Sequence, residues 1–386
     1  MWRYKLTIPI FILLLILLVC STKKEDEKGQ QNITTATWHI FRGDSNLSGV
    51  AKDKLPDILS LLWSFQTGRA IVSSPIIGLG RVFVSSTDGK VYSVNLADGS
   101  KVWEFDTGDD VEASPLLVDE TIYVGSLSGE FFALDANNSE VKWKYNIDNE
   151  IYGSANWART SDSQQTLILV GSYDNKMYCF DTNTGKLSWA YETGNYINGA
   201  PATDGENIVF GGCDEILHIV SIVDGKKTGE ILAGSYIPGS AALVDGKAYL
   251  GHYGNKLICI DIANQKIDWE YKNEFAAPFF SSPAVGKNQV VIGSRDEYLH
   301  CVDRKTGKKI WTFKTRDEID SSPVIVDEKV VIGSTDGRIY IVSLKNGKEL
   351  WSYEIGAAII GCPAVAGGMI IIGAEDGRVY TFGEKL

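Results

Sequence analysis

Carboxylates and aromatic rings return in short loops at a fixed interval, and they are the side chains of this sequence with the most chemistry to offer. Asp109, Asp110 and Glu112 form one group, and Asp317, Glu318 and Asp320 form another. Between them lie Asp148-Asn149-Glu150, the run 195–198 with Tyr196, the loop holding Tyr236, and the run 275–280. Carboxylates converging from several loops would focus a field that draws in a cation or a basic partner loop. Tyr196 and Tyr236, with Tyr152 and Phe279, are candidate anchors for a partner. Arg69 and Arg316 are the local counter-charges. The spacing defines no Ser/His/Asp arrangement and no pair of catalytic carboxylates, so no catalytic residue is assigned. His39, His218, His252 and His300 fall at unlike positions, and no metal site is expected from them.

What must hold these loops together is legible in residues 321–354, SSPVIVDEKVVIGSTDGRIYIVSLKNGKELWSYE. Four β-prone runs are separated by Asp327-Glu328-Lys329, Asp336-Gly337 and Asn346-Gly347. Asp-Gly and Asn-Gly between alternating apolar runs are strong hairpin signals, so the unit is a four-stranded antiparallel meander. The unit repeats. Trp63, Trp103 and Trp143 are 40 residues apart, Trp189 follows after 46 because of an inserted polar loop at 161–166, and Trp269, Trp311 and Trp351 continue the series. At Gly229 the spacing is kept and the ring is missing. An opening signature (SSP, ASP, SAN, GAP, GSA, SSP, SSP, GCP) marks the same eight units.

A period near 40 residues belongs to propeller blades. The expectation is an all-β, eight-bladed β-propeller of four-stranded antiparallel blades, with the tryptophans as packing groups between blades. The last unit, 361–382, has three strand runs, whereas the first Trp strand, 61–67, has none before it. That strand is therefore expected to complete the last blade and close the ring, removing open sheet edges. In a meander of this kind the B–C turns share one face with the segments entering the inner strands. Those segments carry the residues named at the outset, so the candidate site is the mouth of the axial channel.

Residues 1–19 read as a signal peptide: Arg3 and Lys5 precede an apolar run, 6–19, too short for a relaxed membrane span. Residues 20–37 then read as a lipidated cysteine and polar tether, residues 38–60 as a pre-propeller segment, and residues 61–386 as the propeller. The pre-propeller run WHIFRGDSNLSGV is expected to lie across a blade with a turn at 46–49; its Arg-Gly-Asp is not read as an adhesion motif. A net charge of −12 leaves no basic stripe for phosphates, which argues against nucleic acid. Cys179, Cys259 and Cys301 occupy one position in three repeats, as expected of buried free thiols, and Cys213 and Cys362 lie elsewhere.

The runs VFVSSTDGKVYSVNLADGSKVW, KMYCFDTNTGKLSW and RIYIVSLKNGKELW resemble the pyrroloquinoline quinone (PQQ) repeat over nearly all of residues 61–382. Quinoprotein dehydrogenases share that ring and hold PQQ with calcium on its axis, but they are longer and usually carry a vicinal Cys-Cys pair, absent here. Lumenal stress-sensing domains of eukaryotic kinases also share it. Length, leader and eight short blades are most similar to outer-membrane assembly lipoproteins of the BamB type. Val19-Cys20-Ser21 resembles the lipobox of bacterial lipoproteins, in which the thiol is acylated, although Val19 stands where that motif usually has a small residue. An ordinary signal peptide cut nearby, or an uncleaved anchor, are the alternatives. The resemblance implies a non-enzymatic, monomeric protein-binding scaffold in the cell envelope, lipid-anchored on the periplasmic side of a membrane and engaging an envelope protein. The alternative is a PQQ- and calcium-dependent dehydrogenase or other small-ligand quinoprotein.

Overall fold

A computed structural model of the protein describes residues 36–160 and 165–385. Every regular element among them is a strand, and the strands form eight sheets. Blade 1 runs Ile76–Gly78, Arg81–Ser85, Lys90–Asn95 and Lys101–Asp106, and blades 2 to 7 repeat that antiparallel order. The two middle strands of each blade are apolar on both faces because each blade is sandwiched between two others. Arg81–Ser85 and Lys90–Asn95 are buried almost throughout, whereas the outer Lys101–Asp106 alternates.

The ring closes as expected. Ser60–Gln66 pairs antiparallel with Arg378–Gly383, with Leu61 opposite Phe382 and Gln66 opposite Arg378, and supplies the outer strand of blade 8. Blade 7 differs from the four-stranded pattern: Val50–Ala51 adds a parallel fifth strand to its inner edge, at Val324–Val326.

The tryptophans pack between blades. Trp63, Trp103 and Trp311 each donate their indole N–H at 2.9 Å to a carbonyl of the following blade, at Leu96, Ala136 and Leu344. All eight outer strands shift register by one residue at or just before this position. Such a bulge rotates the strand locally and re-aims the side chain. Gly99 adopts φ +71° beneath Trp63, where a Cβ would come within 2.5 Å of the ring. Where Gly229 lacks the ring, Gln265 of the next blade fills the space and donates to the Thr228 carbonyl at 3.2 Å.

The pre-propeller segment departs from the expectation most. It crosses not one blade but all eight. Trp38 exchanges two backbone bonds of 2.8 Å with Ile77, and the N–H groups of Leu117, Thr203, Leu243, Val285 and Ile325 donate to carbonyls between His39 and Gly49. Asn156 of blade 3 donates to the Ser45 carbonyl at 2.8 Å, and Gly367 of blade 8 to the Asp53 carboxylate at 2.7 Å. The inner strands would otherwise leave these buried donors unpaired. One end of the channel is thereby plugged. The signal peptide, Cys20 and most of the inserted 161–166 loop lie outside the described residues.

Candidate functional site at the channel mouth

Each chain segment enters its blade at the open end of the channel and runs down the wall toward the plug. Halfway down, a belt of hydroxyls joins the blades. Ser114 accepts the N–H of Ser74 at 2.9 Å, Ser154 that of Ser114 at 3.1 Å, Ser240 that of Ala200 at 2.8 Å, and Ser282 that of Ser240 at 2.9 Å. Ser322 accepts from Ser282 at 2.9 Å, and Ser74 accepts from Cys362 at 2.8 Å across the closure. The recurring SSP and GSA signatures are this belt, a role the repeat spacing alone did not reveal. The plug side holds Arg42, fully buried, whose Nη1 donates to the Pro323 carbonyl at 2.6 Å and whose Nη2 donates to the Pro283 carbonyl at 2.8 Å. Its Nη1 also reaches the Cys362 sulfur at 3.3 Å, its Nε has no partner, and no carboxylate pairs with it among the described residues.

The mouth is fixed by the turns between the second and third strands. In every blade that turn's N–H donates to the entering segment, as from Leu127 to Asp110 (2.9 Å), Cys213 to Tyr196 (2.9 Å), Tyr253 to Tyr236 (3.0 Å) and Thr335 to Glu318 (3.0 Å). The turns are themselves braced by their aspartates: Tyr92 donates to Asp88 and Tyr340 to Asp336, each at 2.6 Å. His218 and His300 take the tyrosine's place, with Nε2 2.8 Å from Asp214 and 3.0 Å from Asp296. These two histidines therefore stand at like positions, not the unlike ones expected, and both serve turn geometry.

The site residues share this face but divide by depth. Glu112 lies in the channel wall and lines, with Tyr152, Asn198, Phe280, Ser74 and Phe41, an axial cavity of about 180 Å³. Burial and the Asp110 charge push the Glu112 carboxyl above its ordinary range. Asp110, Tyr196, Tyr236 and Glu318 stand on the rim, and Asp109, Asp317 and Arg316 are exposed. Tyr196 and Tyr236 are 45% and 46% exposed, enough to meet a partner. Tyr152, Tyr173 and Tyr196 form a continuous arc with ring centres 4.5 and 4.7 Å apart, and Tyr236, Tyr253 and Phe280 form a second with spacings of 6.3 and 4.8 Å. Phe279, expected at the mouth, is wholly buried in the blade core, and Phe280 takes that role.

The counter-charges also differ in part. Arg69 pairs with Asp110 at 3.1 Å, as expected. Asp320 is held by Arg295 rather than Arg316, at 2.9 and 2.7 Å, and Glu318 lies 3.3 Å from the same guanidinium. Arg295 sits 3.4 Å from the centre of the Phe280 ring. Its signal is the blade 6 turn, Arg-Asp-Glu, where blades 1 and 7 carry Thr-Asp-Gly and no other blade carries a basic residue.

Calcium takes six to eight oxygen ligands. Among the described residues no group of three or more His, Cys, Asp or Glu side chains is placed to hold a metal ion. Asp320 is engaged by Arg295, and Phe41 lines the cavity beside the buried Arg42.

Comparison with solved structures gives BamB from Moraxella catarrhalis at TM-score 0.69 and 19% identity, covering 85% of this chain and 98% of that one. A europium-containing methanol dehydrogenase aligns at TM-score 0.74 and 14% identity, over 90% of this chain and 98% of that one. The computationally designed Ika8 protein aligns at TM-score 0.72 and 16% identity, over 84% and 99%. At such identities the likeness is one of fold. No curated protein matches the sequence. Residues 110–384, more than half of the chain, match the family model described as "Beta-alanine-activating enzyme, beta-propeller". This chain belongs to that β-propeller family, and its repeats are of the PQQ-like kind.

Proposed function

We propose that this protein is a non-enzymatic binding platform of a bacterial cell envelope, whose channel mouth docks another envelope protein. In this reading residues 1–19 are removed, Cys20 is acylated and residues 20–37 tether the propeller to a membrane, with residues 38–60 and 61–386 as plug and ring. Outer-membrane protein assembly is the process that the resemblance to BamB-type lipoproteins implies. The observation that carries the reading is the asymmetry of the axis: one end is filled by the protein's own chain, and the other presents two aromatic arcs beside carboxylates. Exposed aromatic anchors with polar surroundings are the composition of a protein-binding patch.

The test is site-specific photo-crosslinking in cells from positions 196 and 236, with Lys345 on the opposite face as reference. One dominant envelope protein, trapped from the mouth and not from position 345, is the expected result. Labelled palmitate should enter the wild type and not Cys20→Ala. Calcium-dependent uptake of PQQ with dye-linked alcohol or sugar oxidation would replace this reading with the enzymatic one.

A further inference from the structure

We propose that the axial cavity receives one basic side chain, arginine or lysine, carried on a loop of the docked protein and seated between Tyr152 and Glu112. The inference rests on the reading of the mouth as a docking face and adds the chemistry of what enters it.

Size comes first. A cavity of about 180 Å³ holds roughly six waters, which suits a single long side chain and excludes a folded element. Its walls then select for charge. Tyr152 lines the cavity and packs against Tyr173 at a tilt of 38°, and Tyr173 in turn lies nearly parallel to Tyr196 at 6°, so an aromatic ring held by the arc bounds one side. Ring faces attract cations. The Glu112 carboxylate, also in the wall, has neither ion-pair nor hydrogen-bond partner among the described residues. Asp110 and Glu150 add negative charge nearby, Arg69 is taken by Asp110, and the buried Arg42 beside Phe41 is spent on the Pro323 and Pro283 carbonyls and the Cys362 sulfur.

The same molecule shows what such a set of groups holds. Across the mouth, Phe280 of blade 6 and Asp320 and Glu318 of blade 7 enclose the guanidinium of Arg295. Blades 2 and 3 present the same components in reverse order, Glu112 and then Tyr152. There the turn positions matching Arg295 are Leu127 and Tyr173, so these two blades supply no cation of their own. One cation site is filled internally; its counterpart is left to a partner.

The test uses the full chain and two probes, Nα-acetyl-L-arginine methylamide and its neutral citrulline isostere, followed by ligand-observed NMR titration. The arginine probe should bind saturably and the citrulline probe at least tenfold more weakly. Glu112→Gln should weaken the arginine probe at least tenfold and bring the two probes level. Tyr152→Leu should also weaken it, whereas Glu140→Gln, an exposed acid on the opposite face, should not. Equal binding of the two probes to the wild type, no saturable binding of arginine, or an unchanged Glu112→Gln overturns the inference. The wild-type comparison stands even if a variant folds poorly. In cells, Glu112→Gln should reduce capture from position 236. Undiminished capture overturns the inference and leaves the platform standing; absence of capture from positions 196 and 236, with arginine still bound in solution, fails the platform instead.

Discussion

The two ends of the axial channel are built from opposite choices. At the plugged end nearly every polar group is committed: backbone donors from the inner strands meet carbonyls of residues 38–49, and a fully buried guanidinium is spent on two carbonyls and a thiol. At the open end the hydroxyls of half-exposed tyrosines and a carboxylate in the wall have no hydrogen-bond partner among the described residues. Stability is concentrated where the chain closes on itself, and chemistry is displayed where it does not. Loops and rims carry function for this reason.

Substitutions along the axis should therefore fall in a graded order, and departures from it would break the contrast. Arg42→Ala, which leaves two buried carbonyls unpaired and a void at the plug, should cost about 3–4 kcal/mol in urea denaturation. A loss below about 1 kcal/mol would mean the plug is not what holds that end. Off the axis, within blade 5 at the base of its second-to-third-strand turn, is His252, whose Nδ1 accepts the Gly254 N–H at 2.9 Å while its buried Nε2 has no partner. Burial, then the Lys256 charge, hold its pKa down at about 4 against an ordinary 6.5, with Glu270 opposing. The folded-state value is the lower one, so the unfolded chain takes up the proton first, and stability should fall by about 2–3 kcal/mol as pH drops from 6.5 toward 4. In His252→Leu this portion of the pH dependence should disappear; a wild type with a flat profile across that window would refute the assignment.

Midway along the channel, Ser282→Ala removes the acceptor for the Ser240 N–H and should cost about 1–2 kcal/mol by thermal or chemical denaturation. The smallest effects belong to the mouth. Tyr196→Ala and Tyr236→Ala should each change stability by at most about 1 kcal/mol, while lowering partner capture from a neighbouring crosslinker several-fold. Large destabilisation by either tyrosine, with capture intact, would reverse the roles assigned to the two ends.

Much of this architecture is legible in the sequence. The Asp-Gly and Asn-Gly turns, the tryptophan period and the unmatched ends of the repeat specify eight blades and the strand exchange between 60–66 and 378–383, because those signals are local and recur. The plug could not be read. It occurs once, and its partners are backbone groups scattered from Ile77 to Gly367, which leave no trace in side-chain pattern. The mouth was legible in position but not in pairing. The sequence offers Arg316 as the counter-charge local to this acidic group, whereas Arg295 reaches Asp320 and Glu318 from the adjoining blade. The swap of Phe279 for Phe280 has a similar origin, since strand alternation turns on a single residue and the start of the inner strand fixes its phase.

The exchange of strand 60–66 into the last blade also orders events in time. Synthesis delivers Ser60–Gln66 long before Arg378–Gly383 exists, so the nascent chain must carry this strand without its ladder partner until the last blade emerges. Contacts so distant in sequence form slowly, and exposed strand edges invite association in the meantime. The early strand has to be kept from other edges until its own partner arrives.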